Sequence, residues 1–124
     1  MYRIMLADDE GIMLEALKNI ITSNFGGECE IATAKTGRAV VELAERFRPD
    51  IAFMDIQMPV MNGFDTTLTI RKMKDDKKAM IPIIAMTANA FAEDRQKALS
   101  VGMNDHVAKP VDMNILAPTM MKYL

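Results

Sequence analysis

The sequence predicts an α/β fold, a single doubly wound domain in which a five-stranded parallel sheet carries five helices on its two faces. Two observations lead there. Short apolar runs alternate with longer segments of helical period along the whole chain, which is the order of a parallel sheet with crossover helices. The chain is 124 residues long, half apolar and 26% charged, so one globular domain over residues 1–124 is expected.

The strands are read from "RIML" (3–6), "CEIATA" (29–34), "IAFM" (51–54), "PIIAM" (82–86) and "HVA" (106–108). Between the first two, "GIMLEALKNIITSNF" places Met13, Leu17 and Ile20 on one helical face. "TGRAVVELAERF" does the same with Val40, Leu43, Ala44 and Phe47, and Pro49 closes that helix. A third helix is expected over about 64–73, and a fourth over about 92–101 with Gly102 as its stop. The fifth begins at Asp112, a good N-cap, and contains Pro118, where a kink or an early break is expected because proline lacks the backbone donor. Right-handed crossovers leave few topologies, and the flavodoxin-like order 2-1-3-4-5 is the one expected.

Composition narrows the function. A formal net charge of −2 offers no basic footprint, so direct nucleic-acid binding by this chain is not expected. No apolar stretch approaches the roughly 20 residues of a membrane span, and "MYRIMLADDE" lacks a signal peptide's apolar centre, so the expectation is a cytoplasmic chain with no membrane contact. Cys29, the single cysteine, reads as a reduced core thiol. The 13 methionines, among them Met5, Met54, Met86, Met103 and Met120, are scattered through apolar segments and read as core filling.

In a doubly wound sheet the ligand site lies beyond the carboxyl ends of the strands, near the switch point between strands 1 and 3. The stretch "IAFMDIQMP" (51–59) carries an apolar run onto Asp55, and a charge at the end of a buried strand is costly unless something pairs with it. Strand 1 ends in Asp8 and Asp9, strand 4 in Met86-Thr87 and strand 5 in Ala108-Lys109-Pro110. Three carboxylates, a hydroxyl and an ammonium therefore converge on one edge. Two carboxylates about 4 Å apart repel by roughly 4 kcal/mol at an effective dielectric of 20, so a cation must compensate. Oxygen-only ligands in a small acidic cleft suit Mg²⁺, with Mn²⁺ as the alternative. Lys109 adds a point charge that could hold the same oxygen group. A carboxylate nucleophile, a divalent ion and a lysine together suit phosphoryl transfer to Asp, with Thr87 hydrogen-bonding the phosphoryl oxygens.

At these residues the sequence resembles the receiver domain of two-component response regulators, the CheY-like superfamily. The pieces that carry the resemblance are "LADDE", "FMDIQMPVMNGFD", "IIAMTANA" and "VAKP", in the family's order and spacing, and it covers essentially the whole chain. It implies that Asp55 is the phosphoacceptor. It also implies that Asp9 is a direct Mg²⁺ ligand, that Asp8 acts through water, and that the backbone carbonyl of Gln57 completes the protein's share. Thr87 would be the switch hydroxyl and Lys109 the site lysine, with a cis bond to Pro110. His106 stands where the family most often has a switching Tyr or Phe; it reads first as a partly buried strand residue, and the alternative is that it reports the switch and that its titration near neutrality makes the output surface pH-sensitive. Gln57 and Asn89, two residues beyond Asp55 and Thr87, would tune phosphoryl lifetime. The implied phosphodonor is a phosphohistidine on a sensor histidine kinase or a histidine phosphotransfer domain. The chain would catalyse its own phosphorylation and dephosphorylation rather than turn over an external substrate. Helix 1 carries more apolar positions than one buried face requires, and its surplus would receive the partner's helices. Helix 4, strand 5 and helix 5 would form the output surface and a homodimer face.

Other readings compete. Haloacid-dehalogenase-like phosphatases also phosphorylate an Asp but place an acid two residues beyond it, where Gln57 stands here. A flavin binder needs a phosphate-cradling loop after strand 1, and "ADDE" would repel the phosphate. A receiver-like adaptor that binds partners without phosphorylation ranks second. The first half is similar to receivers of transcription factors and "AMTANAFAEDRQKALSVGMNDHVAKPV" to those of hybrid sensor kinases. Leu124 ends the chain one helix after strand 5, so the expectation is a single-domain regulator or relay, or a receiver cut from a longer protein.

Overall fold

The computed structural model describes residues 1–88, 92–109 and 111–124. Its strands are β1 (Tyr2–Ala7), β2 (Cys29–Ala34), β3 (Ile51–Asp55), β4 (Ile83–Thr87) and β5 (Asp105–Ala108). All neighbours pair in parallel in the order β2-β1-β3-β4-β5, as expected. The helices are α1 (Gly11–Phe25), α2 (Gly37–Arg46), α3 (Gly63–Arg71), α4 (Asp76–Ala79), α5 (Ala92–Ser100) and α6 (Met113–Tyr123). The helices expected fourth and fifth are thus α5 and α6.

The sheet separates two cores. Ile4, Leu6, Phe53 and Met86 pack with Leu14, Leu17 and Ile21 of α1 and Leu116 and Met120 of α6. Met5, Met54 and Ala85 pack on the other face with Val40 and Ala44 of α2, Phe64 and Ile70 of α3, and Ala98 of α5. Every residue of β3 is buried, as a central strand covered on both faces must be. Among the described residues no helix is long and apolar enough to cross a membrane.

Four local expectations are corrected. The buried line of α1 is Leu14, Leu17 and Ile21, with Met13 and Ile20 half-buried beside it. The helix is apolar on several sides, so periodicity alone did not fix which side faces the sheet. The extra single turn α4 was not expected; Asp75 caps it by accepting from the backbone N–H groups of Lys77 and Lys78. Strand β4 begins after Pro82, whose carbonyl accepts from Ala52 N at 2.8 Å. The helix α6 runs past Pro118 to Tyr123 without a break. Leu116 and Met120 anchor it to the core on either side of the proline, which outweighs one missing donor. Asp112 caps α6 through Asn114 N and Ile115 N, and Gly102 follows α5 with φ 102°, a conformation glycine adopts freely. Cys29 is a free, half-buried thiol whose pKa is pushed up by burial.

Candidate functional site

Strand alternation brings the charged groups together. In β1, Ile4 and Leu6 face the α1/α6 core, so Asp8 continues on that side. Ile51 and Phe53 lead Asp55 to the same side, and Val107 leads Lys109 there. Hydrogen bonds from Asp8 N to Ala34 O (3.1 Å) and from Lys109 N to Thr87 O (2.8 Å) carry the ladder beyond the strand ends. Thr87 follows Met86 and belongs by the same alternation to the opposite face.

Lys109 Nζ donates to Asp8 Oδ2 at 2.8 Å and to Asp55 Oδ2 at 3.1 Å. The other oxygens accept from backbone N–H groups two residues on, Glu10 N to Asp8 Oδ1 and Gln57 N to Asp55 Oδ1, both at 3.0 Å. Asp8 is wholly buried and Asp55 only 4% exposed, whereas Asp9 is exposed. Carboxylate oxygens of Asp8, Asp9 and Asp55 lie within 4.8 Å of one another. One ammonium faces three carboxylates, so the cluster keeps an excess of negative charge beside an opening to solvent. Oxygen donors in that number and charge fit a hard divalent ion.

Burial alone would raise the Asp8 carboxyl, but hydrogen bonds from Lys109 and Glu10 N hold it below its ordinary value. At Asp55 burial dominates, reinforced by the charge of Asp8, and its pKa is raised despite Gln57 N and Lys109. Burial disfavours the Lys109 charge, but its two carboxylate partners raise its pKa. The Thr87 hydroxyl is buried and has no hydrogen-bond partner among the described residues. A buried orphan of this kind costs about 1–3 kcal/mol and is a place where an incoming acceptor is rewarded.

The structure brings Asp8, Asp9, Asp55 and Lys109 into one cluster and sets a polar orphan at Thr87. Gln57 contributes its backbone N–H, while its side chain is exposed. His106 lies outside the cluster, half-buried on β5 opposite Ala85, with Nδ1 3.8 Å from Asp105 Oδ1. Asn89, Pro110 and the Lys109–Pro110 bond lie outside the described residues. Sequence reasoning missed Gly63. A Cβ there would stand 2.5 Å from the Asp55 carbonyl oxygen and 2.8 Å from Ile56 Cα, so only glycine lets the start of α3 close on the strand that carries Asp55. Its signal was the Asn62-Gly63 dipeptide, in which Asn62 caps α3 by accepting from Asp65 N.

The sequence profile described as "Response regulator receiver domain" matches residues 4–120. The chain belongs to that family. It is 34% identical over 125 residues to hybrid signal transduction histidine kinase C of Dictyostelium discoideum, an alignment covering 98% of this chain and 10% of that protein. The receiver domain of sensor histidine kinase PA1611 from Pseudomonas aeruginosa, with a magnesium ion coordinated in its active site cleft, superposes with a TM-score of 0.86 at 31% identity, covering 98% of this receiver and 96% of that chain. A chain of the co-crystal structure of the Saccharomyces cerevisiae histidine phosphotransfer signaling protein Ypd1 and the receiver domain of its downstream response regulator Ssk1 matches with a TM-score of 0.88 at 25% identity, covering 98% and 88%. The receiver spans from 4% to 13% of the length of such curated relatives.

Proposed function

We propose that this receiver accepts a phosphoryl group from a phosphohistidine onto Asp55, and that the acid cluster holds Mg²⁺, or Mn²⁺ in its place, while it does so. The observation that carries the reading is the Lys109 ammonium bridging two buried carboxylates, with the oxygens of a third within 4.8 Å. Asp9 and Asp55 would hold the ion directly, with Asp8 acting through water and the Gln57 carbonyl completing the set. Bound there, it would neutralise phosphoryl charge.

The remaining chemistry belongs to the chain. Asp55 supplies the nucleophilic oxygen, and the Gln57 N–H holds its other oxygen in place. Lys109 already donates to Asp55 Oδ2, so its ammonium is placed to follow negative charge from the carboxylate to the transferred group. Thr87 Oγ1, without a partner among the described residues, gains one when phosphoryl oxygens arrive. The phosphoryl group brings about two negative charges, and movement of Thr87 toward it would reset the connection that leads to α5. The α5, β5 and α6 surface, with Leu99 and Ile115 exposed, is the output and homodimer face on this reading. Gln57 and Asn89 tune the lifetime and His106 follows the switch.

Likeness to a hybrid histidine kinase and to the Ypd1–Ssk1 assembly supports a histidine kinase or a histidine phosphotransfer protein as the donor. Exposed Ile12 on α1 and Val60 after β3 follow Asp9 and Asp55 closely in the chain, an apolar rim suited to a protein donor. The test is intact mass after incubation with Mg²⁺ and a small acyl phosphate, beside Asp55→Asn. A gain of one phosphoryl mass in the parent alone is expected. No gain, with the fold intact and the donor active on another receiver, refutes the chemistry and leaves an adaptor that binds partners without phosphorylation.

A further inference from the structure

The amino-terminal edge of the sheet, remote from the carboxylates, holds a pocket of about 320 Å³ at the starts of β3 and β4. Pro49, Met80, Ile81 and Pro82 supply an apolar wall, and Arg48, Lys77 and Lys78 supply cations from two separate connections. Met80 is 72% exposed and Pro82 half-buried, so the outer part of this wall faces solvent, while Pro49 and Ile81 form its buried floor and Ile81 continues into the core. Two acids also line the pocket, and both are engaged with the backbone: Asp50 Oδ2 accepts from Arg3 N at 2.7 Å, and Asp75 Oδ1 accepts from Lys77 N and Lys78 N. None of the three cations forms an ion pair among the described residues. An adjoining depression shares Asp75 and Lys78 and adds Lys72, Lys74 and Glu45, so lysines outnumber acids past the pocket mouth as well.

Backbone strain marks the same place. Arg48 has φ 51°, one of two non-glycine residues with positive φ among the described residues. Glycine would hold that turn without steric cost, and an arginine that keeps it is a reason to look for what the guanidinium does. Arg48 lines the same pocket as Lys77 and Lys78, so a planar donor group and two ammonium groups share its walls. Guanidinium and ammonium together match a dianion with several acceptor oxygens better than a single carboxylate.

We propose that this pocket binds a small organic phosphate, with its phosphate among Arg48, Lys77 and Lys78 and its apolar body against Pro49, Met80 and Pro82. The site uses no residue of the acid cluster, so it stands or falls independently of phosphorylation at Asp55. Amide resonances of the whole ¹⁵N-labelled chain carrying Asp55→Asn, without Mg²⁺, would be followed during titration with phenyl phosphate, inorganic phosphate and benzyl alcohol. Phenyl phosphate should shift Asp50, Lys77 and Met80 saturably, inorganic phosphate should bind at least tenfold more weakly, and benzyl alcohol should leave them unmoved. Arg48→Gly, which keeps the positive φ without strain, should weaken phenyl phosphate binding at least tenfold. The paired change Lys77→Ala and Lys78→Ala should do the same and provides the test if Arg48→Gly does not fold. Absence of saturable shifts, equal binding of inorganic phosphate, or undiminished binding by the folded variants overturns the proposal.

Discussion

Replacing Gly63 by alanine tests the link between the packing of α3 and the position of Asp55. The added methyl would stand 2.5 Å from the Asp55 carbonyl oxygen and 2.8 Å from Ile56 Cα. A carbon–oxygen contact of this kind is comfortable at about 3.3–3.6 Å, so the two backbones must part by roughly 0.8–1 Å. Both neighbours are main-chain atoms and neither can swing aside. Overpacking of this kind costs about 1–3 kcal/mol, and the better helix propensity of alanine returns at most about 1 kcal/mol. A net loss of about 1–2 kcal/mol, against an unfolding entropy of about 0.26 kcal/mol/K for a chain of this length, lowers Tm by roughly 4–8 °C.

The displaced atom belongs to the residue whose carboxylate is the proposed nucleophile, and a misplacement of about 1 Å can cost on the order of a hundredfold in rate. Phosphorylation by an acyl phosphate, timed by intact mass with Mg²⁺ present, should therefore slow by about tenfold to a hundredfold. Gly27→Ala is the control, because nothing lies within 4 Å of a Cβ there. A Gly63→Ala variant with the Tm and phosphorylation rate of the Gly27→Ala control would refute the reasoning.

Three further outcomes are expected. Thr87→Val removes a buried hydroxyl that has no partner among the described residues and should raise the Tm of the unphosphorylated chain by about 4 °C, equivalent to about 1 kcal/mol, while abolishing phosphorylation-dependent chemical-shift changes in α5. Mg²⁺ at a hundred times its Kd should stabilise the parent by about 2.7 kcal/mol in thermal unfolding, and Asp9→Asn should remove most of that gain. For Asp105, burial would raise the carboxyl, but His106 N, Lys122 and Tyr123 hold it below its ordinary value. A carboxylate with a depressed folded pKa stabilises the fold above the unfolded value of about 3.9, and that stability is lost as pH falls through the folded value. The Tm advantage of the parent over Asp105→Asn should therefore be constant from neutrality to about pH 5 and shrink below about pH 4; an advantage that grew on acidification would contradict the assignment.

Much of this structure could be read from residue order because the sheet is buried on both faces. The inner strands β3 and β4 are buried throughout and read as unbroken apolar runs, and each of the five runs lies within a residue or two of the strand it predicts. The convergence of Asp8, Asp55 and Lys109 was legible too, since a parallel sheet sends every strand's carboxyl end to one edge. What escaped depends on contacts between distant segments. The rotation of α1 onto Leu14, Leu17 and Ile21 is decided by the sheet surface it meets, not by its own several-sided apolar pattern. Gly63 reads as a turn glycine until the Asp55 carbonyl is seen against it. The Asp75 cap of α4 had an ordinary local signal, the Asp75-Asp76 pair, but a four-residue helix is too short for periodicity to find.

The fold also explains how a change at the acid cluster would reach a distant face. Strand β5 has only four residues and is tied at both ends. At its carboxyl end Lys109 Nζ holds Asp8 and Asp55, while Lys109 N is bonded to Thr87 O. At its amino end Asp105 Oδ2 accepts from Lys122 Nζ at 3.3 Å, and the Tyr123 hydroxyl lies 3.1 Å from the same oxygen and 3.0 Å from Asn104 O, so the last turn of α6 is fastened there. On the proposed reaction, Lys109 trades a carboxylate oxygen for a phosphoryl oxygen and Thr87 finds a partner, both at one end of this short strand. The other end is clamped to α6, so the strand cannot absorb the change by sliding freely. Adjustment must pass into the side chains between the clamps, His106 among them, and into the faces of α5 and α6 that flank β5. Cutting the amino-end clamp with Tyr123→Phe should therefore leave the phosphorylation rate unchanged while reducing the chemical-shift response of α6 to phosphorylation; an undiminished response would show that the clamp does not carry it.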